Sequence, residues 1–389
     1  MHIRLSIIRS KLTLFYCTPG AQAVVASDGK SLAMQAAQNG DLEMLTYLVD
    51  KSSMVGLDIH ACDTDGWNCL FYAMICTSMP CMNYLVSKGL KATSNMHGTT
   101  LLMEAVDRGQ FEFVRYLVES STSINLDLNA KDSSGCNALF YCSANGSKDI
   151  FEYLVNNQVK LCDDGHNRTV LMQAAYNAHK ELVMYLIDNE ISLGLDVNQK
   201  DKDGRNVLFY CIEGGNLDML VSLLEFGIPM QTDASGKNNL FQAVSAGHAE
   251  IVEYILKNRD LHLKMDPLAT DINGNNAMYY YAKRPNNKHI LSLLLSVGLK
   301  INDCTNASNI LAQALKSGDL ITAKMITGSF DKTDVDHVKN ILREWRGDRG
   351  ETLFHWVAMK NDEEFCRLLV PYYDSTADRD DHNRTPLIR

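Results

Sequence analysis

The chain repeats itself, and that constrains its fold more than any other feature of its 389 residues. A turn, usually with Gly, is followed two residues on by Ser, Thr or Asn and then by a short apolar run. The pattern reads DGKSLAMQAA from Asp28, DGWNCLFYAM from Asp65, HGTTLLMEAV from His97, SGCNALFYCS from Ser134 and DGRNVLFYCI from Asp203. With the turn residue as marker, copies fall at Gly29, Gly66, Gly98, Gly135, Asn167, Gly204, Gly236, Gly274, Ala307, Gly350 and Asn383. Steps of 37 and 32 alternate as far as Gly236, so a pair of units recurs every 69 residues. A unit this short cannot bury an apolar face alone; neighbours must stack to complete the core. A length that otherwise suggests two or three domains is therefore read as one array of small units.

Each unit has the same internal grammar. A polar residue suited to capping (Ser31, Asn68, Thr100, Asn137, Thr169, Asn206) precedes a short apolar helix, whose first free backbone N–H it can accept. A turn such as Asn39-Gly40 or Gly214-Gly215 comes next. A second helix, QFEFVRYLVES or AEIVEYILKN, then carries apolar residues at i, i+3, i+4 and i+7, which predicts one buried face. A polar loop, LDLNAKDSSG or LDVNQKDKDG, closes the unit. The longer units insert about five residues after the second helix, at 52–58, 121–127 and 190–195, and these are expected to be loops in a row along one edge.

GTTLLMEAVDRGQFEFVRYLVE, GHAEIVEYILKN, DLNAKD and DVNQKD resemble the ankyrin repeat family over about residues 27–389. The resemblance implies an all-α solenoid of stacked helix-turn-helix units with hairpin-like loops. It also implies a concave face, lined by first helices and loop tips, that binds other proteins. The family's Thr-Pro-Leu-His box survives only in part, at Gly350–His355 and Thr385–Leu387. Met34, Phe71, Met103, Phe140, Met172, Phe209 and Phe241 take its His position, so apolar packing is expected to replace the His-mediated bonds between repeats. His355 is expected to keep such a bond.

Six residues after each marker, polar and aromatic side chains alternate: Gln35, Tyr72, Glu104, Tyr141, Gln173, Tyr210, Gln242, Tyr280, Gln313 and Trp356. Two readings stay open. In one the rings form a stacking ladder whose hydroxyls bond neighbouring Gln or Glu groups; in the other they are anchors for a partner. The candidate partner-binding set is Tyr72, Glu104, Tyr141, Gln173, Tyr210, Gln242 and Tyr280, with Trp67, Arg205 and Lys237 beside the turn glycines.

Other chemistry finds little support. Asp28–Ser31 ends like a phosphate-binding loop, but Val24 stands where that motif needs Gly,. Cys62, Cys69, Cys76 and Cys81 are spaced poorly for zinc,. No Gly-x-Ser-x-Gly elbow or His-Glu-x-x-His occurs,. No catalytic, cofactor or metal residues are assigned, and the chain is expected not to be an enzyme. A net charge of −10 argues against a nucleic-acid partner,, and no run of 18 apolar residues suggests a membrane span,. The 11 cysteines form no disulfide framework, and a monomer with reduced thiols is expected. That points to the cytoplasm, with the nucleus also open. Residues 1–26 carry a weak, Thr-broken likeness to a signal peptide, so secretion is disfavoured.

The expected organisation is an N-terminal tail at 1–26, an array of about nine units at 27–327, and an irregular segment at 328–348 with a helix near Val335–Trp345. A further repeat and the start of another follow at 349–389. The second reading is a regulatory or targeting arm of a larger protein (a kinase, ligase or channel) truncated at Arg389.

Overall fold

The computed structural model describes residues 27–52, 57–258, 265–282, 287–299, 349–360, 363–372 and 379–386, with isolated positions between 323 and 346. The tail at 1–26, the segment at 328–348 with its expected helix, and Gln313 lie outside the described residues, apart from isolated positions in that segment. The chain divides into two compact units between Leu195 and Asp196.

The N-terminal unit is built of helical pairs: α1 (Leu32–Gln38) with α2 (Leu42–Asp50), α3 (Cys69–Ile75) with α4 (Met79–Ser87), and α5 (Leu101–Asp107) with α6 (Phe111–Glu119). After the single turn α7 (Ser121–Ile124) come α8 (Ala138–Asn145) with α9 (Lys148–Asn156), α10 (Val170–Tyr176) with α11 (Lys180–Asp188), and the single turn α12 (Glu190–Leu193). The first helices stack in order, α1 on α3, α3 on α5, α5 on α8 and α8 on α10. In the C-terminal unit α13 (Val207–Glu213) pairs with α14 (Leu217–Glu225), α15 (Asn239–Ala246) with α16 (Ala249–Asn258), α17 (Ala277–Ala282) with α18 (Lys288–Ser296), and α19 (Leu353–Lys360) with α20 (Glu363–Leu369). There α13 packs on α15 and α15 on α17. No described helix is longer than ten residues, too short to stand alone in water; their stability comes from the stacked apolar faces.

Caps start the first helices as the sequence predicts, in two alternating chemistries. In α1, α5 and α10 the hydroxyl of Ser31, Thr100 or Thr169 accepts the N–H of Met34, Met103 or Met172, whose sulfur in turn accepts the cap residue's N–H. In α3, α8 and α13 the cap is Asn68, Asn137 or Asn206, and its carbonyl oxygen accepts from the helix. The amide's Nδ2 then donates to the loop that closes the same unit, Asn68 to the Lys91 carbonyl at 2.8 Å, Asn137 to Lys160 at 2.7 Å and Asn206 to Pro229 at 3.1 Å. These bonds tie a helix to its own unit's loop, while Met34, Phe71, Met103, Phe140, Met172, Phe209 and Phe241, at the family's His position, are buried in the core as expected. Asparagine has a donor left over after capping, and burial makes that donor seek an acceptor. His355 behaves as expected: Nδ1 bonds Thr352 and Nε2 lies 2.9 Å from the Arg384 carbonyl.

The marker residues adopt the left-handed conformation, Gly204 at φ +79 and Asn167 at φ +59. At Gly204 an added Cβ would stand 2.9 Å from the Ala234 nitrogen, so close approach of neighbouring tips requires glycine there. The tips bond chiefly through main chain, with the Thr64 hydroxyl adding a bond to the Asp28 carbonyl at 2.9 Å. Thr64, Met96, Ser133 and Gly165 donate to the carbonyls of Asp28, Asp65, His97 and Ser134, and in the C-terminal unit Ala234, Ile272 and Asp381 donate to Asp203, Ser235 and Arg349. The insertions differ from expectation. Those at 121–127 and 190–195 open as helical turns, closed by left-handed Asn125 and Gly194. The one at 52–58 lies largely outside the described residues.

Candidate interaction surface

The surface is organised by a side-chain acceptor, an aspartate at most of the described tips and Asn95 at one, that opens the loop tip. In the N-terminal unit Asp63 Oδ1 accepts the N–H groups of Asp65 and Trp67, both at 2.9 Å, and Asp132 Oδ1 those of Ser134 and Cys136, again at 2.9 Å. In the C-terminal unit Asp201 does the same for Asp203 and Arg205, and Asp271 for Asn273 and Asn275. A short polar side chain accepting from the backbone two residues on is what fixes such a turn.

The second carboxylate oxygen meets the ring nine residues later. The Tyr72 hydroxyl donates to Asp63 Oδ2, Tyr141 to Asp132 at 2.9 Å, Tyr210 to Asp201 at 2.6 Å and Tyr280 to Asp271 at 2.7 Å. The hydroxyls therefore do not bond Gln or Glu of a neighbouring helix, as the stacking ladder supposed. The loop folds back over the start of its own helix, and a charged acceptor binds a phenol more strongly than an amide does. Tyr72, Tyr210 and Tyr280 are buried and Tyr141 half-buried. Burial first, and the carboxylate second, push the phenols of Tyr72, Tyr141 and Tyr280 above their ordinary pKa, keeping them neutral donors. Burial alone would raise the Asp201 carboxyl, yet hydrogen bonds from Tyr210 and Arg205 outweigh it and hold its pKa below the usual carboxylate value. Asp271 is lowered likewise, against burial, by bonds from Tyr280 and Asn275.

Trp67 is buried, its ring stacked on Phe71 at 4.0 Å between centroids, with Phe71 edge-on to Tyr72. Arg205 forms one cluster with Tyr210: Nε reaches Asp201 at 2.8 Å, Nη2 reaches Asp203 at 2.9 Å and accompanies the Tyr210 hydroxyl at 3.1 Å. The Lys237 ammonium lies 5.2 Å from the Tyr280 ring centre, while Phe241 stacks on that ring at 5.1 Å. Glu104 pairs with Arg108 at 3.4 Å. Gln242 is buried; Gln35 and Gln173 are half-buried. Gln173 Oε1 is enclosed and has no hydrogen-bond partner.

The aspartates Asp63, Asp132, Asp201 and Asp271 were missing from the candidate set, although a nine-residue spacing to each tyrosine was there to be counted. Among the described residues no cluster of His, Cys, Asp and Glu could hold a metal, and no helix is long and apolar enough to cross a membrane. The nine described cysteines are unpaired, five of them buried. Burial raises the Cys69 and Cys211 thiols to about 12, which leaves them poor nucleophiles.

Comparison with known proteins agrees with this geometry. The chain is 22% identical over 187 residues to "Putative ankyrin repeat protein L371" of Acanthamoeba polyphaga mimivirus, covering 48% of this chain and 23% of that protein. It is 30% identical over 107 residues to mouse "Ankyrin repeat domain-containing protein 63", covering 27% of each. It is 31% identical over 85 residues to mouse "Protein fem-1 homolog A-like", covering 22% of this chain and 13% of that one. The chain thus spans less than a third of the length of these curated relatives. The sequence pattern of ankyrin repeats, in three copies, matches residues 33–132, 124–201 and 190–266. Those stretches run together over more than half of the chain, on the repeats whose tips and caps are described above: the chain belongs to the ankyrin repeat family.

Proposed function

We propose that the chain is a non-catalytic, cytoplasmic protein-interaction module that binds other proteins along the first helices and loop tips of its repeats. One observation carries this reading. The tips are joined by main-chain hydrogen bonds and braced by aspartates from below, so their side chains are left to face outward on a fixed frame. Met96 is 67% exposed and Ile272 73% exposed at the same position of their tips, and His97 and His166 are exposed in register. A frame ordered before binding lowers the entropic cost of association. Within it, Glu104, Gln173, Arg205 and Lys237 are the polar groups offered to a partner, while Tyr72, Tyr141, Tyr210, Tyr280, Trp67 and the buried Gln242 hold the frame in shape. A monomer without cofactor or metal suffices for this role.

The test is affinity capture with the full chain, followed by mass spectrometry and repeated with Met96→Asp plus Ile272→Asp. Enrichment of a small set of proteins, lost in the variant while its melting temperature stays unchanged, is expected. Capture indifferent to these tips, or substrate turnover by the purified chain, overturns the reading. A second reading, a targeting arm within a longer polypeptide, is favoured by the small share of each relative that the repeats cover.

A further inference from the structure

This inference goes beyond that reading and concerns the other helix of each repeat. Six second helices carry a tyrosine as their sixth residue: Tyr47 on α2, Tyr84 on α4, Tyr116 on α6, Tyr153 on α9, Tyr185 on α11 and Tyr254 on α16. Ser222 and Leu293 take that position on α14 and α18. We propose that the part of this row on α6, α9 and α11 is a docking surface for an extended, lysine- or arginine-rich segment of a partner protein.

The rings are seated but not covered. Tyr153 meets Phe111 of α6 edge-on at 5.5 Å between centroids, and Tyr185 meets Phe151 of α9 in the same way at 6.1 Å. Tyr116, Tyr153 and Tyr185 are nevertheless only half-buried, and among the described residues their hydroxyls make no hydrogen bond. The row already takes cations from its own chain. The Lys88 ammonium lies 5.2 Å from the Tyr84 ring centre, and that of Lys148 lies 5.6 Å from the Tyr185 ring centre. The quadrupole of a phenol ring holds such a charge. Tyr116 and Tyr153 stand in the same register with no cation over them among the described residues.

Charge selects the occupant. Residues one turn before and one turn after a tyrosine share its side of the helix. Here they are Glu112 and Glu119 on α6, Asp149 and Asn156 on α9, and Glu181 and Asp188 on α11, all exposed. Burial first, and Glu119 second, push the Tyr153 phenol above its ordinary pKa, so an α6 carboxylate stands close to the α9 ring. Glu112 is paired with Arg115 at 2.6 Å and Glu152 with Lys148 at 3.4 Å. Glu119, Asp149, Glu181 and Asp188 have no ion pair among the described residues, and Lys180 is the remaining basic residue of these three helices. Aromatic rings set among carboxylates in excess favour a cation-bearing segment. Spacing sets its form. Packed helices lie about 8–10 Å apart, the reach of about three residues of extended chain. A basic residue at every third position therefore meets one tyrosine after another.

The probe is a fluorescein-labelled 15-residue peptide with lysine at every third position and serine and alanine between, titrated with the full chain at physiological salt by fluorescence polarisation. Saturable binding is expected, and none by the same peptide with glutamate in place of lysine. Tyr116→Leu plus Tyr153→Leu is expected to weaken binding about tenfold, as two cation–ring contacts are lost. Tyr116→Phe plus Tyr153→Phe keeps the rings and should keep the affinity. Glu119→Gln, Asp149→Asn and Glu181→Gln together should weaken binding and flatten its salt dependence. These three touch only exposed groups, so they decide the case even if the leucine variant unfolds. Asp65→Asn plus Asp107→Asn, equally exposed carboxylates on a loop tip and on α5, should change nothing. Absence of saturable binding, equal binding of the glutamate peptide, or unchanged affinity in the carboxamide triple variant overturns the proposal. An equal loss in the Asp65 and Asp107 control, which marks general attraction to an acidic chain, overturns it as well.

Discussion

Asp132 and Asp201 hold the same place in their repeats but have different company, and that difference is measurable. Among the described residues Asp132 Oδ2 receives only the Tyr141 hydroxyl, whereas Asp201 Oδ2 also receives Arg205. Tyr141→Phe leaves a carboxylate oxygen without its donor and is expected to cost about 1–3 kcal/mol. Tyr210→Phe is expected to cost less, because the guanidinium remains; urea unfolding of the two variants compares them directly. The same carboxylates set a pH dependence. The native pKa values of Asp201 and Asp271 lie below the ordinary carboxylate value. Their contribution is therefore fully present above the unfolded pKa, about 3.9, and is lost as the pH falls through the lower native value. Thermal melts between pH 6 and pH 2.5 should show stability falling only below about pH 4. Asp201→Asn should flatten that fall; Asn95 already shows that an amide can hold such a tip, accepting from His97 and Thr99. At this scale the sequence was only half legible. The tyrosine register could be counted along the chain, but the acceptor depends on how the loop folds back, which periodicity does not report.

The helices themselves were legible, because capping residue, apolar run and left-handed marker recur in one order. Their starts fall one residue beyond Ser31, Asn68, Thr100, Asn137, Thr169 and Asn206. What escaped was the use made of the caps, since an asparagine's second function is invisible until the carbonyl of its own unit's closing loop stands beside it. Thr352 and His355 show the family's own solution within this chain. Transplanting it makes a prediction: Met103→His restores a ring whose Nδ1 accepts at Thr100 and whose Nε2–H donates to the following tip. It is expected to stabilise the chain by about 0.5–1.5 kcal/mol, read as a rise in urea midpoint without change of slope. The inserted turns were also missed, because SSTSIN carries too short a pattern to signal helix. They differ in weight. Ile124, the last residue of α7, is buried and its carbonyl accepts from Ala92, whereas α12 buries no residue. Deleting 121–125 is expected to cost at least the burial of one isoleucine, about 2–3 kcal/mol. Deleting 190–194 should cost less, and paired thermal melts decide between the two.

From Ser31 to Asn206 the alternation of two repeat types, declared in the spacing of the marker residues, reappears as two cap chemistries and as tyrosines set between polar neighbours; at Asn238 a second asparagine cap follows. Each described unit is a stack in which a repeat leans chiefly on its neighbours, so damage should spread as loss of adjacent repeats rather than as global collapse. Hydrogen exchange on Gly204→Ala is expected to lose protection first in α13 and α15, on either side of the strained tip. The main-chain bonds that join one tip to the next carry a last consequence. Because the joint is made of atoms every amino acid possesses, mutation can rewrite the outward letters of a tip while the masonry beneath stays as it was. Such a lineage is free to change its clientele without rebuilding its walls.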